Sequence, residues 1–292
     1  MDYSLLLGKY APAISEKEVA RLVATARKEA VKNYNGDVYR TCFSVIDLTT
    51  LSETDSVRSV ENFVRKAVEM QKHFPSIPNV ASICVFPSFV DVVGLGVEGS
   101  DIAVTSVAAG FPASQTFMEV KMLEVAMAVE NGADEVDIVI NVGEMIQEQY
   151  DQMANEVEML RNEAGEDTVF KVIVESGALE TPELIRRASL LSMFAGADFV
   201  KTSTGKIGVA ATPEAAVVMC QAIKDYYQQT GRQVGFKAAG GIRTAEDAAL
   251  YYTIVKMILG PEWLNPRLFR IGASSVANSL ISAIEGTTIK YF

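Results

Sequence analysis

Phe199-Val-Lys-Thr-Ser-Thr-Gly-Lys206 and Val234-Gly-Phe-Lys-Ala-Ala-Gly-Gly-Ile242 are short apolar runs, each carrying a lysine and followed by glycine. Lys201 and Lys237 stand 36 residues apart, about the length of one strand–helix unit. A lysine is rarely buried. Two at matching places on successive strands therefore call for a chemical explanation. A second cation beside an amine lowers its pKa and frees its lone pair for attack on a carbonyl. That is the signature of Schiff-base chemistry. Either lysine alone reads equally well as a stem snorkelling from a barrel rim to solvent; the pair, each followed by glycines, favours the chemistry.

Outward from these two runs, apolar, β-branched segments recur with helical segments between them, at 42–48, 80–87, 102–111, 135–142, 169–176, 199–205, 234–242 and 268–274. Near-continuous apolar runs suit parallel strands covered on both faces. Eight strand–helix units in a chain of this length predict a (β/α)8 TIM barrel. A doubly wound open sheet is the alternative, weakened by the lack of a Gly-rich turn after the first strand. Thr181-Pro182-Glu183 and Thr212-Pro213-Glu214 each read as an N-cap followed by proline at the first helical position. Thr244-Ala-Glu-Asp247 resembles a capping box with Asp for Glu.

The first forty residues precede the barrel. Ser15-Glu-Lys-Glu18 reads as a capping box, after which Val19, Leu22, Val23, Ala26 and Ala30 share one helical face. This N-terminal helical extension, residues 1–40, is expected to plug the N-terminal mouth or pack on the barrel's side. No Pro/Ser-rich linker or low-complexity tract divides the chain, so 1–292 reads as one domain.

Composition narrows the chemistry. Apolar residues make up 49% of the 292, enough for a substantial core. The formal charge of −11 argues against nucleic acid as a partner. No signal peptide and no apolar stretch of membrane-spanning length is seen. Cys42, Cys84 and Cys220 lack metal spacing and read as reduced core thiols of a cytoplasmic protein. The single histidine, His73, falls at a predicted helix end. Zinc-dependent aldolases and hydrolases usually need two or three histidine ligands, so no metal site is expected and carbonyl chemistry is assigned to an amine.

Catalytic groups in barrels sit at the carboxyl ends of strands. Asp137, in Glu135-Val-Asp-Ile-Val-Ile, shares a strand face with Glu135 and Val139. A carboxylate pointing inward near two lysines would be ion-paired and could position a water for proton transfer; a structural counter-ion is the alternative. Asp47, in Val45-Ile-Asp-Leu-Thr-Thr50, is a further inward candidate, suited to hydrogen-bonding a polar substrate or Lys201. Gly240-Gly241 closes the seventh run and Gly272-Ala-Ser-Ser275 the eighth. Loops at those two strand ends often bind phosphate through backbone N–H groups and a short helix N-terminus. Ser274 and Ser275 add hydroxyl donors, and Gly205-Lys206 adds a third side with a charge.

These segments resemble the deoxyribose-phosphate aldolases from about residue 40 to 285. The resemblance is carried by FVKTSTGK (199–206), VGFKAAGGIR (234–243), IDLTTL (46–51), ADEVDIVI (133–140) and FRIGASS (269–275). VTSVAAGFP (104–112) and the amino-terminal extension are similar to the family's longer members. The resemblance implies a class I aldolase that interconverts 2-deoxy-D-ribose 5-phosphate with D-glyceraldehyde 3-phosphate and acetaldehyde. No cofactor is implied; the partner is a small phosphorylated sugar, and a homodimer is an open expectation. It implies Lys201 as the Schiff-base nucleophile, Lys237 as the lysine that depresses its pKa, and Asp137 as the relay carboxylate. Asp47, Cys84, Thr204 and Lys206 match the substrate surroundings; Gly205, Gly240, Gly241, Gly272, Ser274 and Ser275 match the phosphate shell. The family commonly has proline after the second lysine, where this chain has Ala238. Tyr291 is a candidate for the carboxy-terminal tyrosine that some members use in proton transfer. Two rival readings stay open: a class I aldolase for another sugar phosphate, and a non-catalytic sugar-phosphate-binding barrel.

Overall fold

The computed structural model describes residues 3–10 and 12–292. Eight parallel strands, β1 Ile46–Thr49, β2 Ser82–Val85, β3 Ala103–Val107, β4 Glu135–Val139, β5 Val169–Ile173, β6 Phe199–Lys201, β7 Gly235–Ala239 and β8 Phe269–Ala273, follow one another around a closed barrel. β8 pairs with β1 to complete it. Helices lie between consecutive strands and cover the outside. The expected (β/α)8 barrel is therefore the observed fold. On β4, Val136 and Ile138 alternate with Glu135 and Asp137, and all four are buried.

Each apolar run overlaps one strand, but the strands are shorter than the runs. The largest difference is at the first, where Cys42 and Phe43 belong to the helix Gly36–Ser44. The Asn35 side chain caps that helix by accepting from the Val38 N–H at 3.1 Å. Val38, Tyr39, Cys42 and Phe43 then form its buried stripe. A helix stripe and a strand thus abut without a polar break, and only geometry separates them.

The helix Glu16–Ala30 forms as the periodicity predicts and buries Val19, Val23, Ala26 and Ala30, with Leu22 partly buried. It packs on the barrel's flank, against the helices Pro213–Thr230 and Ala245–Ile258. Its capping box is half made. Ser15 Oγ accepts from Glu18 N–H, but the Glu18 carboxylate turns outward to Arg21. At Thr244 the box closes in both directions. Thr181 and Thr212 cap their helices as expected. No helix among the described residues is long and apolar enough to cross a membrane.

Candidate active site

Seven ionisable side chains fill the middle of the barrel: Asp47 on β1, Glu135 and Asp137 on β4, Lys171 on β5, Lys201 on β6, Lys237 on β7 and Arg270 on β8. The register brings them together. Asp137 lies opposite Lys171, and Lys201 opposite Lys237. Asp137 is the hub. One carboxylate oxygen accepts from both Lys201 and Lys237, each at 2.7 Å, and the other from Lys171 at 3.0 Å. Lys171 also donates to Glu135 at 2.5 Å. Arg270 closes the floor, donating to Asp47 and Glu135.

Electrostatics sorts these groups. Burial alone would raise the Asp137 pKa, yet Lys171, Lys201 and Lys237 together hold it well below the usual carboxylate range. Burial would lower the Lys237 pKa, but Asp137 and Asp47 overturn this and hold it above the ordinary lysine value. Lys171 is held charged in the same way by Asp137, Glu135 and Asp47. Lys201 moves in the opposite direction. Its pKa is lowered, first by burial and then by the Lys237 charge, against the pull of Asp137. A count of charges gives the same sorting. The three carboxylates of Asp47, Glu135 and Asp137 are matched by Lys171, Lys237 and Arg270. Lys201 is the fourth base, so electroneutrality in a low-dielectric interior favours its neutral form.

A cavity of about 230 Å³ opens above Lys201 at the carboxyl ends of the strands. Thr204, Gly205, Lys206, Gly240, Gly241, Gly272, Ser274 and Ser275 all line it. The N–H groups of Gly205, Gly241 and Ser275 have no acceptor among the described residues. The helix Ser275–Glu285 starts at this cavity without a side-chain cap, so its first N–H groups and the positive end of its dipole face the opening. Lys206 reaches across the mouth, its Nζ donating to Leu51 O at 2.5 Å. Gly272 also serves the floor, since a Cβ there would stand 3.0 Å from Lys237 Cε. A larger cavity of about 470 Å³ lies outside the barrel between the N-terminal segment and Arg186 and Arg187. No lysine is among its described lining residues.

Three candidates do not line this cavity. Asp47 is wholly buried and pairs with Lys237 and Arg270, not with Lys201. Cys84 is buried beside Lys237 and Asp137 and does not line the cavity; burial pushes its thiol up to about 11. Tyr291 packs on the outer surface against His73 and Phe74, and its hydroxyl donates to Lys66 O at 2.9 Å. In this conformation it does not line the cavity. Lys171 and Arg270 are the participants that sequence reading passed over. Among the described residues there is no group of three His, Cys, Asp or Glu side chains suited to hold a metal ion.

Asp137→Asn would leave four bases facing two acids. We expect it to lower stability by about 3–5 kcal/mol, as removal of one member of a buried ion network does, measured as a fall in the denaturation midpoint at unchanged m-value.

Eight parallel strands around an ionised core, with an open cleft at their carboxyl ends, define a barrel enzyme. The chain belongs to the DeoC/LacD aldolase family, whose model matches residues 41–258. It is 40% identical over 266 residues to the deoxyribose-phosphate aldolase of Homo sapiens, covering 87% of this chain and 83% of that one. The Mus musculus enzyme of the same name is 40% identical over 265 residues, with 87% and 83% covered. Among solved structures, the deoxyribose phosphate aldolase from Aeropyrum pernix, described as a unique tetramer, superposes with a TM-score of 0.66. It shares 25% identity, with 90% of this chain and 97% of that one covered.

Proposed function

We propose that this chain is a class I aldolase that cleaves 2-deoxy-D-ribose 5-phosphate to D-glyceraldehyde 3-phosphate and acetaldehyde through a Schiff base on Lys201. The observation that carries this is the fourth base: a buried lysine with a lowered pKa, 2.7 Å from Asp137, at the floor of an anion-suited cavity. The names of the curated relatives support the substrate.

In this mechanism the neutral Lys201 amine adds to the aldehyde carbon and water leaves, giving an iminium. A base takes the hydroxyl proton at C3. The C2–C3 bond breaks, its electrons flow to the iminium nitrogen, and glyceraldehyde 3-phosphate departs from the enamine. A water held by Asp137 and Lys237 returns a proton to the enamine carbon, and hydrolysis releases acetaldehyde and restores the amine. Lys237, kept charged by two carboxylates, favours the neutral form of Lys201. The phosphate is gripped by Gly205, Gly241, Ser274, Ser275 and the uncapped helix end, remote from the bond that breaks, and orients the reacting carbons. Asp47 acts from beneath, by fixing Lys237. Assembly as a homodimer in the cytoplasm belongs to this proposal, and light scattering tests the first part.

Borohydride reduction in the presence of acetaldehyde, followed by peptide mass spectrometry, tests the chemistry. An ethylated Lys201 is expected. Folded protein that binds inorganic phosphate yet shows no adduct would favour a non-catalytic binding barrel. A panel of phosphorylated sugars tests the substrate.

A further inference from the structure

Glu175 follows β5 and takes no part in the ionised core, yet it is held in an unusual state. Its backbone is left-handed, at φ 52° and ψ 58°, a conformation that a non-glycine residue adopts at an energetic penalty. It is nearly inaccessible to solvent. Its carboxylate accepts from both donors of Thr204: the hydroxyl at 2.6 Å and the backbone N–H at 3.3 Å. Thr204 Oγ1 in turn accepts from the Lys206 N–H at 3.0 Å. Strain of this kind persists where the surroundings over-determine it, which points from an outlier to a function.

What Glu175 grips is the segment 202–206, the link between Lys201 and the anion cavity. Its other edge is tied to β7. Ser203 Oγ donates to Ala239 O at 2.6 Å, and Thr202 Oγ1 accepts from Ala239 N–H at 3.0 Å. Glu175 is the matching tie on the β5 side. The next turn is fitted to the chain just beyond that segment, since a Cβ on Gly177 would come within 2.1 Å of Val209 O. The carboxylate occupies both Thr204 donors, and the free Gly205 N–H is left for an anion.

We propose that Glu175 is a positioning residue for the anion subsite, fixing the 204–206 backbone at the height from which it holds the substrate's phosphate while Lys201 reacts. This rests on the aldolase reading above. It separates two readouts, because acetaldehyde carries no phosphate. Glu175→Gly removes the carboxylate while easing the left-handed backbone, so the variant is expected to fold. Glu175→Gln keeps one acceptor oxygen for Thr204.

The expected result for Glu175→Gly is a rise of about tenfold or more in KM for 2-deoxy-D-ribose 5-phosphate, the scale of two lost hydrogen bonds. Its rate of borohydride trapping with acetaldehyde should stay within about twofold of wild type, and Glu175→Gln should recover most of the KM. An unchanged KM in Glu175→Gly, or a trapping rate that falls along with binding, would overturn the proposal. If wild type traps no acetaldehyde, the Schiff-base reading fails instead. Calorimetric affinity for inorganic phosphate then decides the role of Glu175: about tenfold weaker in the glycine variant sustains it, and equal affinity removes it.

Discussion

Lys201→Leu is expected to lower turnover by about four orders of magnitude or more, the scale of losing a covalent nucleophile, and to abolish borohydride trapping, while the protein folds as well as wild type or better. The last clause is the discriminating one. Lysines buried to this depth are usually costly to replace, because a carboxylate partner is left alone. Here Asp137 keeps Lys171 and Lys237 when Lys201 is gone. The remaining three acids and three bases balance, and leucine fills the stem's volume. Calorimetric Tm and single-turnover assays on one preparation make the comparison. A variant that retains a tenth of the activity, or that melts well below wild type, would show that Lys201 is a member of the structural network and not its spare base.

Lys237→Leu acts through a different route, and pH separates the two. Without Lys237, three acids face Lys171, Arg270 and Lys201, so Lys201 is drawn into its charged form. A like charge nearby disfavours the charged form of a group. Its loss therefore raises the Lys201 pKa and lowers the neutral fraction at pH 7, and acetaldehyde trapping there is expected to slow by about tenfold or more. The sign fixes the profile. Because the neutral amine reacts, the deficit is largest at low pH and shrinks as pH rises towards the new pKa. Rates of acetaldehyde trapping measured across pH 6 to about 10 read this directly, since a lysine's ordinary value lies near 10.4. A deficit that is the same at every pH would refute the tuning role and leave Lys237 as a proton carrier alone.

The barrel was legible because parallel strands covered on both faces leave near-continuous apolar runs at strand–helix intervals. Lys201, Lys237 and Asp137 stood out as charges inside those runs, and the closed barrel brings them to one point. Lys171 carries the same signal, a lone charge within Val169-Phe-Lys-Val-Ile. It was passed over because no glycine follows it, and sequence alone does not show that β5 sets it opposite Asp137. Arg270 lies in a segment read for its glycine and serines, while its side chain runs to the floor. Asp47 was assigned to Lys201 or substrate; the partner it meets depends on which lysine crosses the barrel, and the register with Gly272 gives Lys237 the room. Glu175 depends on a left-handed backbone that its neighbours in sequence do not announce. Tyr291 lies on an outer helix because Asn278, a residue of the last helix, accepts from its N–H at 2.7 Å, a contact that pattern reading does not reach.

The distribution of charge around the barrel has a mechanical consequence. β1, β4, β5, β7 and β8 each insert at least one ionised group into the common cluster, and β6 inserts the neutral Lys201, whereas β2 and β3 insert no ionised group, Thr105 of β3 donating to Glu135 at 2.7 Å. Peeling away any of those five strands exposes an uncompensated ion to a dry interior. Peeling β2 or β3 does not. The barrel is thus a riveted hoop with one unriveted arc, and transient opening is directed to that arc. Amide hydrogens of β2 and β3 should exchange with solvent ahead of the rest, while the five riveted strands exchange together as one cooperative unit.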